Sequence, residues 1–164
     1  MSTRQIALIS AVSVALLSAC SSTKVEDSAL VNKAASAVAG VVIPDHLNPN
    51  SLISTQRSVY FDFDKFNVKS SETVVVERQG KYLAANAGLN VRVEGNADER
   101  GGREYNLALG QKRADAVTRA LKVYGAKDGQ MEAVSFGSEK PKAAGHDEAA
   151  WAQNRRVDVT YPSK

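Results

Sequence analysis

The sequence predicts an α/β fold, a two-layer sandwich with helices on one face of a mixed sheet. Two segments, at residues 58–64 and 89–95, alternate apolar and polar residues, which is typical of strands with one buried face. A longer segment at 103–124 repeats apolar residues every three or four positions, as an amphipathic helix does. Because strand and helix patterns alternate along the chain, the predicted order is β-α-β-α-β-(short α)-β, which two packed layers accommodate.

The first strand is predicted at residues 58–64, where the apolar residues at positions 59, 61 and 63 fall on one face. We therefore expect both Phe61 and Phe63 to point into the core. The first helix is predicted at roughly residues 71–86, although Gly80 costs about 1 kcal/mol in a helix interior. Its helical spacing is carried by Val75, Gln79, Tyr82, Leu83 and Asn86.

The remaining elements follow from the same two patterns. Residues 89–95, 131–136 and 156–161 are predicted strands, and a short helical turn is predicted at 147–152. The long helix at 103–124 stops before Gly125, because glycine readily adopts the backbone conformation that ends a helix. The predicted buried stripe of this helix consists of Leu107, Gly110, Ala114, Val117, Leu121 and Tyr124.

A processing signal for lipid attachment is predicted near the N-terminus. Arg4 and the amino terminus supply positive charge, and residues 6–17 form an uncharged apolar run. This run is shorter than the ~20 apolar residues that a membrane-spanning helix needs. Its length is instead typical of a secretory signal peptide. Leu17, Ser18 and Ala19 then lead into Cys20, the only cysteine of the chain. We expect residues 1–19 to be removed and Cys20 to carry lipid, which also accounts for a lone thiol in an exported chain.

After this signal we expect a tether and one domain. Residues 20–56 are predicted to be the lipidated N-terminus and a flexible tether, rich in Ser, Ala, Asn and Pro with turn signals at 44–50. Residues 57–164 are predicted to form the domain, which is long enough to bury a core. The formal charge of the whole chain is only +3, which gives no reason to expect a polyanionic partner.

The densest polar loop spans residues 96–106, and loops of this kind carry binding residues. On the helix that follows, Asn106, Leu109 and Arg113 share one stripe. An arginine binds a carboxylate through two parallel hydrogen bonds, and an aspartate accepts hydrogen bonds from an ammonium group. Arg113 and Asp98 are therefore either the two halves of a site for a zwitterionic amino-acid head or a salt bridge within the fold.

Several motifs together resemble the lipoprotein members of the OmpA C-terminal-domain (OmpA-like) family. The resemblance covers about residue 57 to the end of the chain and agrees with the processing signal at Cys20. It is carried by the stretches SVYFDFDK (58–65), EGNADERG (94–101), EYN (104–106), Leu109, RA (113–114) and NRRV (154–157).

This resemblance implies a noncatalytic clamp on the stem peptide of peptidoglycan, with diaminopimelate as the recognised residue and no cofactor or metal. Asp98 matches the family aspartate that engages the side-chain amine, and Arg113 matches the arginine that engages the carboxylate. The other matched positions are Asn106 and Leu109 in the pocket and Asp62 and Asp64 on the loop after the first strand, with Arg100 and Arg155 as further candidates.

The resemblance also implies partners and a location. Related lipoproteins bind the periplasmic protein TolB and work in the Tol-Pal system, which keeps the outer membrane attached and constricting during cell division. Their TolB surface overlaps the peptidoglycan site, so the two partners are expected to compete. Ser21 and Ser22 replace the aspartate that marks retention in the inner membrane. We therefore expect a lipid anchor at Cys20 in the outer membrane, with the domain facing the periplasm.

A peptidoglycan-cleaving enzyme is the alternative from another class. Asp62, Asp64, Asp98 and Glu99 offer the paired carboxylates that glycoside hydrolysis needs. Their separation in space decides this point, and sequence spacing does not supply it. Metal or nucleophile chemistry is not expected, because His46 lies in the predicted tether, His146 is isolated and Cys20 is used for lipid.

The aromatic residues of the predicted first strand raise nucleic-acid binding as an alternative, but the expected orientation of these residues argues against it. An aromatic-rich strand can stack bases only when its rings lie on the exposed face. Phe61 and Phe63 are expected to point inward, and the carboxylates of Asp62 and Asp64 would repel phosphate.

Overall fold

The computed structural model describes residues 42–163. Its centre is a four-stranded sheet with the order β1-β4-β2-β3. Strand β2 runs parallel to β3, whereas β4 is antiparallel to both of its neighbours. The mixed sheet predicted from the sequence is thereby confirmed. The strands are β1 (Ser58–Tyr60), β2 (Val91–Asn96), β3 (Met131–Gly137) and β4 (Arg156–Thr160).

Two long helices cover the sheet and complete the predicted two-layer sandwich. Helix α3 packs on β2 and β3, and α2 packs on α3 and on β1. The core lies between these layers and contains Val76, Leu83, Val93, Val117, Leu121, Val157 and Val159. The helices are α1 (Leu52–Thr55), α2 (Thr73–Ala85), α3 (Arg103–Val123) and α4 (Glu148–Asn154), with 3₁₀ turns at Ser70–Glu72 and Asp128–Gln130.

The predicted signal peptide, Cys20 and the tether up to residue 41 lie outside the described residues. Within residues 42–163, no helix is both long and apolar enough to cross a membrane.

Strand β1 is shorter than the alternating pattern predicted, because it ends at Tyr60. Beyond Phe61 the chain turns, and the amide of Lys65 donates to the carbonyl of Asp62 at 3.2 Å. Asp64 adopts a left-handed backbone conformation with φ of 54°. Phe61 is buried as expected, but Phe63 is 56% exposed, so the prediction that it points into the core was wrong. The turn lifts Phe63 out of the sheet plane and towards the loop that follows β2.

The end of the predicted tether packs against the domain in the structure. Ile53, in the single turn of α1, is only 6% exposed and belongs to the core. The buried amide of Gln79 on α2 donates to the carbonyls of Ile53 and Gln56, at 3.1 and 2.8 Å. Upstream, the ring of His46 stacks on Tyr161 with 5.4 Å between ring centres. The turn signals at 44–50 therefore mark turns of the folded unit, and the tether expectation fails for this stretch.

This packing predicts a measurable stability difference between two adjacent residues. Ile53→Ala should lower the free energy of unfolding by about 2–4 kcal/mol, because it leaves a cavity in the core. Leu52→Ala is the matched control, since Leu52 is 49% exposed and its truncation should change stability by about 0.5 kcal/mol or less. Urea denaturation measures both. Equal midpoints for Ile53→Ala and the unchanged chain would mean that this segment is a tether after all.

Two glycines set the distance between α3 and the sheet. A Cβ atom on Gly95 of β2 would overlap the carbonyl oxygen of Gly110 and lie 2.6 Å from its carbonyl carbon. On β3, the hydroxyl of Ser135 donates to the carbonyl of Leu107 at 2.7 Å. This close approach brings the first half of α3 against the carboxyl end of β2, where the polar loop begins.

Candidate functional site

A cavity of about 140 Å³ lies among the turn after β1, the loop after β2 and the first half of α3. Its walls contain two carboxylates, two guanidinium groups and an amide beside apolar and aromatic surface. The lining residues are Phe63, Asp64, Ala97, Asp98, Arg100, Gly101, Tyr105, Asn106, Leu109 and Arg113. A smaller cavity of about 100 Å³ adjoins it along α3, shares Asp64, Tyr105 and Leu109 with it, and is also lined by Phe66 and Lys112.

Arg113 is fully buried and holds the cavity walls together. Its Nε donates to the carbonyl of Lys65 at 2.8 Å, its Nη1 to that of Asn96 at 2.8 Å and its Nη2 to that of Asp62 at 3.1 Å. Burial lowers the pKa of Arg113 to about 10, against the opposing effect of Asp98, so the group remains a cation at neutral pH. A guanidinium has five N–H bonds, and three of them are used on these carbonyls.

Asp98 is the buried carboxylate of the cavity, with 4% exposure. Its Oδ1 accepts from the amide and Nε of Arg100, both at 3.1 Å. Its Oδ2 accepts from Nη2 of Arg100 at 2.7 Å and from Nη1 of Arg155 at 3.3 Å. Burial alone would raise the pKa of Asp98, but these hydrogen bonds outweigh burial and hold the pKa below its ordinary value.

Asp98 and Arg113 do not pair with each other within the described part of the chain. The carboxylate of Asp98 is bound by Arg100 and Arg155, whereas the guanidinium of Arg113 is bound by backbone carbonyls. The salt bridge that the sequence left open as an explanation is therefore not formed. The cavity instead presents a buried cation without a carboxylate in direct contact, together with a buried anion, which is the charge pattern that complements a zwitterion.

Arg100 lines the cavity, and its guanidinium lies between two aromatic rings. Its guanidinium carbon is 4.1 Å from the centre of the Phe63 ring and 4.0 Å from that of Trp151. Arg155 lies behind Asp98 and is almost fully buried. It also donates to the carbonyl of Phe61 at 3.1 Å and to the carboxylate of Glu148 at 2.6 Å. Arg155 therefore lies beneath the site, and Arg100 lies in it.

The other predicted residues have different positions in the site. Asn106 is buried and donates to the carbonyl of Asp98 at 3.3 Å, and Leu109 forms part of the cavity wall. Asp64 lines the cavity and accepts a hydrogen bond from the hydroxyl of Tyr105, which raises the pKa of that tyrosine. Asp62 contributes its carbonyl to Arg113, while its exposed carboxylate lies 3.4 Å from Lys69.

The sequence prediction missed the aromatic part of the site. Tyr105 lies four residues before Leu109 on the same helix, so helical spacing places both on neighbouring surface and was a usable signal. Phe63 was missed because its alternating pattern assigned it to the core. Trp151 comes from α4, a distant part of the chain, and no local pattern connects it to Arg100.

The carboxylates around the site are arranged as ion-pair and hydrogen-bond partners. Hydrogen bonds from Trp151 and His146 lower the pKa of Glu99, and the pKa of Asp98 is also lowered. A general acid for glycoside hydrolysis needs a raised pKa, so these two groups are poorly suited to that role. Among residues 42–163, no group of three or more His, Cys, Asp or Glu side chains is placed to hold a metal ion.

Comparison with known proteins agrees with this architecture. Residues 60–155 match the model of the OmpA family. The peptidoglycan-associated lipoprotein of Pasteurella multocida is 42% identical over 154 residues, which cover 94% of this chain and 95% of that protein. The protein of the same name from Haemophilus influenzae is 43% identical with the same coverage.

Solved structures show the same fold. The crystal structure of the peptidoglycan-associated lipoprotein from Burkholderia pseudomallei has a TM-score of 0.69 and 52% identity, covering 72% of this chain and 99% of that one. The C-terminal domain of Helicobacter pylori MotB has a TM-score of 0.58 over 65% of this chain and 83% of that one, but its 20% identity shows the fold alone. The chain therefore belongs to the OmpA family, among its peptidoglycan-associated lipoproteins.

Proposed function

We propose that this protein binds peptidoglycan without covalent attachment, by holding the zwitterionic end of diaminopimelate in the cavity between Asp98 and Arg113. The ammonium group would bind Asp98, and the carboxylate would bind the N–H groups of Arg113 that the backbone carbonyls leave unused. Asn106 and Leu109 would form the wall, and Asp64 would border the opening. Asp62 would act through its carbonyl, which orients Arg113.

The single observation that carries this proposal is the burial of two opposite charges that do not neutralise each other by contact. A buried guanidinium that is bound by carbonyls alone retains its full positive charge. Because the site is desolvated, the attraction between this guanidinium and a ligand carboxylate is stronger than it would be in water. A purely cationic or purely anionic ligand would satisfy only one side of the cavity. An amino-acid head whose ammonium and carboxylate groups are both free of peptide bonds satisfies both sides of the cavity.

Anchoring at a membrane completes the proposed function. Lipid on Cys20, after removal of residues 1–19, would attach the chain to the outer membrane, and residues up to 41 would connect it to the periplasmic domain. The word lipoprotein in the names of the relatives supports this proposal. One acyl chain alone binds a bilayer marginally, so stable attachment requires more than one.

We extend the proposal to TolB and the other components of the Tol-Pal system, on the basis of the family resemblance. The wall-bound and TolB-bound states would be exclusive, and TolB would then release the protein from peptidoglycan. In this way the protein would attach the outer membrane to the wall and take part in its constriction at division. Binding rather than catalysis is proposed, because the pKa values of Asp98 and Glu99 are lowered instead of raised.

Co-sedimentation with diaminopimelate-type peptidoglycan tests the proposed function. Asp98→Asn keeps the shape of the side chain but removes the charge that the ligand ammonium needs. We expect Asp98→Asn to bind peptidoglycan at least about tenfold more weakly than the unchanged chain does. A loss of this size is what removing one hydrogen bond to a charged group costs.

Glu99→Gln is the matched control for this experiment. It removes the same charge from the neighbouring residue, whose carboxylate is bound by Trp151 and His146 outside the cavity. Thermal melting checks that both variants are folded. Undiminished sedimentation of folded Asp98→Asn would show that the cavity is not the peptidoglycan site.

A further inference from the structure

The carboxylate of Asp98 has no acceptor position left for a ligand. A carboxylate offers about four such positions. On Asp98, the amide and Nε of Arg100 occupy Oδ1, while Nη2 of Arg100 and Nη1 of Arg155 occupy Oδ2. An ammonium group that enters the cavity must therefore replace one of these donors.

Arg100 already makes the contacts that such an ammonium group would make. Its cation is bonded to both carboxylate oxygens of Asp98 and is covered on two sides by the faces of Phe63 and Trp151. Aromatic faces attract any cation, whether it belongs to the protein or to a ligand. The part of the site that would bind the ligand's cation is thus already formed, and the side chain of Arg100 occupies it.

We propose that Arg100 is an internal stand-in for the ammonium group of the ligand, and that the ligand displaces its side chain from Asp98 on binding. This inference rests on the proposed function, because it concerns the same cavity and the same ligand. The exchange replaces one cation with another at a buried carboxylate, so Asp98 is never left without a partner.

Of the two arginines bonded to Asp98, Arg100 is the one placed to leave. The side chain of Arg155 is 7% exposed and is also bonded to Phe61 and Glu148. The side chain of Arg100 is 30% exposed, and beyond Asp98 its nearest carboxylate oxygen is that of Glu148 at 3.7 Å. Gly101, the next residue, has φ of +95°, and a glycine there allows backbone rearrangement beside Arg100.

This exchange makes Arg100 a competitor for ligands that carry a free ammonium group. Competition lowers the apparent affinity for such a ligand by the fraction of molecules in which Arg100 has left Asp98. A ligand with only a carboxylate can bind Arg113 while Arg100 stays on Asp98, so it does not compete with Arg100. Arg100 therefore sets how tightly a ligand with both charges binds.

Calorimetric titration of the full chain in detergent tests this inference with two probes. One is the tripeptide L-Ala-γ-D-Glu-meso-diaminopimelate, and the other is the same peptide acetylated on the side-chain amine of diaminopimelate. For Arg100→Ala we expect about tenfold tighter binding of the free-amine peptide. The weak binding of the acetylated peptide should not change. Arg100→Lys keeps the charge but loses the planar fork, so it should give a smaller gain.

Arg103→Ala is the control, because Arg103 is an exposed arginine of the same region that pairs with Glu139 outside the cavity. It should bind both peptides as the unchanged chain does. If Arg100→Ala fails to fold, Arg100→Lys carries the test. Equal or weaker binding of the free-amine peptide by the folded variants would overturn the inference while the unchanged chain still binds. A failure of the unchanged chain to bind this peptide would overturn the proposed function itself.

Discussion

Replacing Arg113 with methionine should abolish sedimentation with peptidoglycan and destabilise the domain by about 3–5 kcal/mol. The guanidinium has two roles that no neighbour can take over. It supplies the buried positive charge of the cavity, and it donates to the carbonyls of Asp62, Lys65 and Asn96, which would lose their donor. Binding is measured by co-sedimentation and stability by urea denaturation.

Arg113→Lys separates these two roles. Lysine retains the charge, but it cannot reach three carbonyls and a ligand carboxylate with the geometry of a guanidinium fork. We expect a folded protein with binding about tenfold weaker or worse. Arg119→Met is the matched control, because Arg119 is exposed on the same helix. Wild-type binding by folded Arg113→Lys would mean that Arg113 only supports the loops.

Gly95→Ala should be the most destabilising single methyl addition in the domain core. The new Cβ would overlap the backbone of Gly110, and a backbone cannot move aside as a flexible side chain can. We expect a loss of at least about 3 kcal/mol in the free energy of unfolding, with α3 pushed away from β2. Because α3 carries Asn106 and Arg113, peptidoglycan binding should fall with stability.

Gly88→Ala provides the comparison for this substitution. A Cβ on Gly88 would meet no atom within 4 Å, so the change should be neutral or slightly stabilising. Urea denaturation of the two variants measures the difference. An unchanged midpoint for Gly95→Ala would show that the separation of α3 from the sheet is not fixed by these glycines.

Local patterns predicted those parts of the fold that local interactions determine. Helix α3 was predicted at 103–124 and is found at Arg103–Val123, because its apolar residues repeat every three or four positions. The alternating pattern of β1 continued four residues beyond the observed strand, over residues 61–64. The turn that ends β1 is held by Arg113, about fifty residues later in the chain, and its left-handed Asp64 has no signature in the alternation. Likewise, residues 44–56 look like a tether until Gln79 and Tyr161 are known to lie beside them.

In the candidate site, too, local chemistry was predictable and contacts between distant segments were not. The charged residues Asp98 and Arg113 were predicted from their chemistry and from the family resemblance, and the structure brings both to one cavity. Their actual partners were not predictable, because Arg113 donates to carbonyls of the turn after β1 and of the last residue of β2. The stacking of Arg100 between Phe63 and Trp151 joins three separate segments of the chain. No periodicity connects such segments, so only the folded chain reveals the contact.

In the proposed function, the cavity recognises both charges of one amino-acid head. The most direct measurement is a calorimetric titration of the unchanged chain with the diaminopimelate tripeptide. The comparison ligands carry either an acetylated side-chain amine or an amidated side-chain carboxylate. We expect clear binding of the unmodified peptide and a loss of at least about tenfold in affinity for each modified one. Equal affinity for all three peptides would contradict recognition of a zwitterion by Asp98 and Arg113.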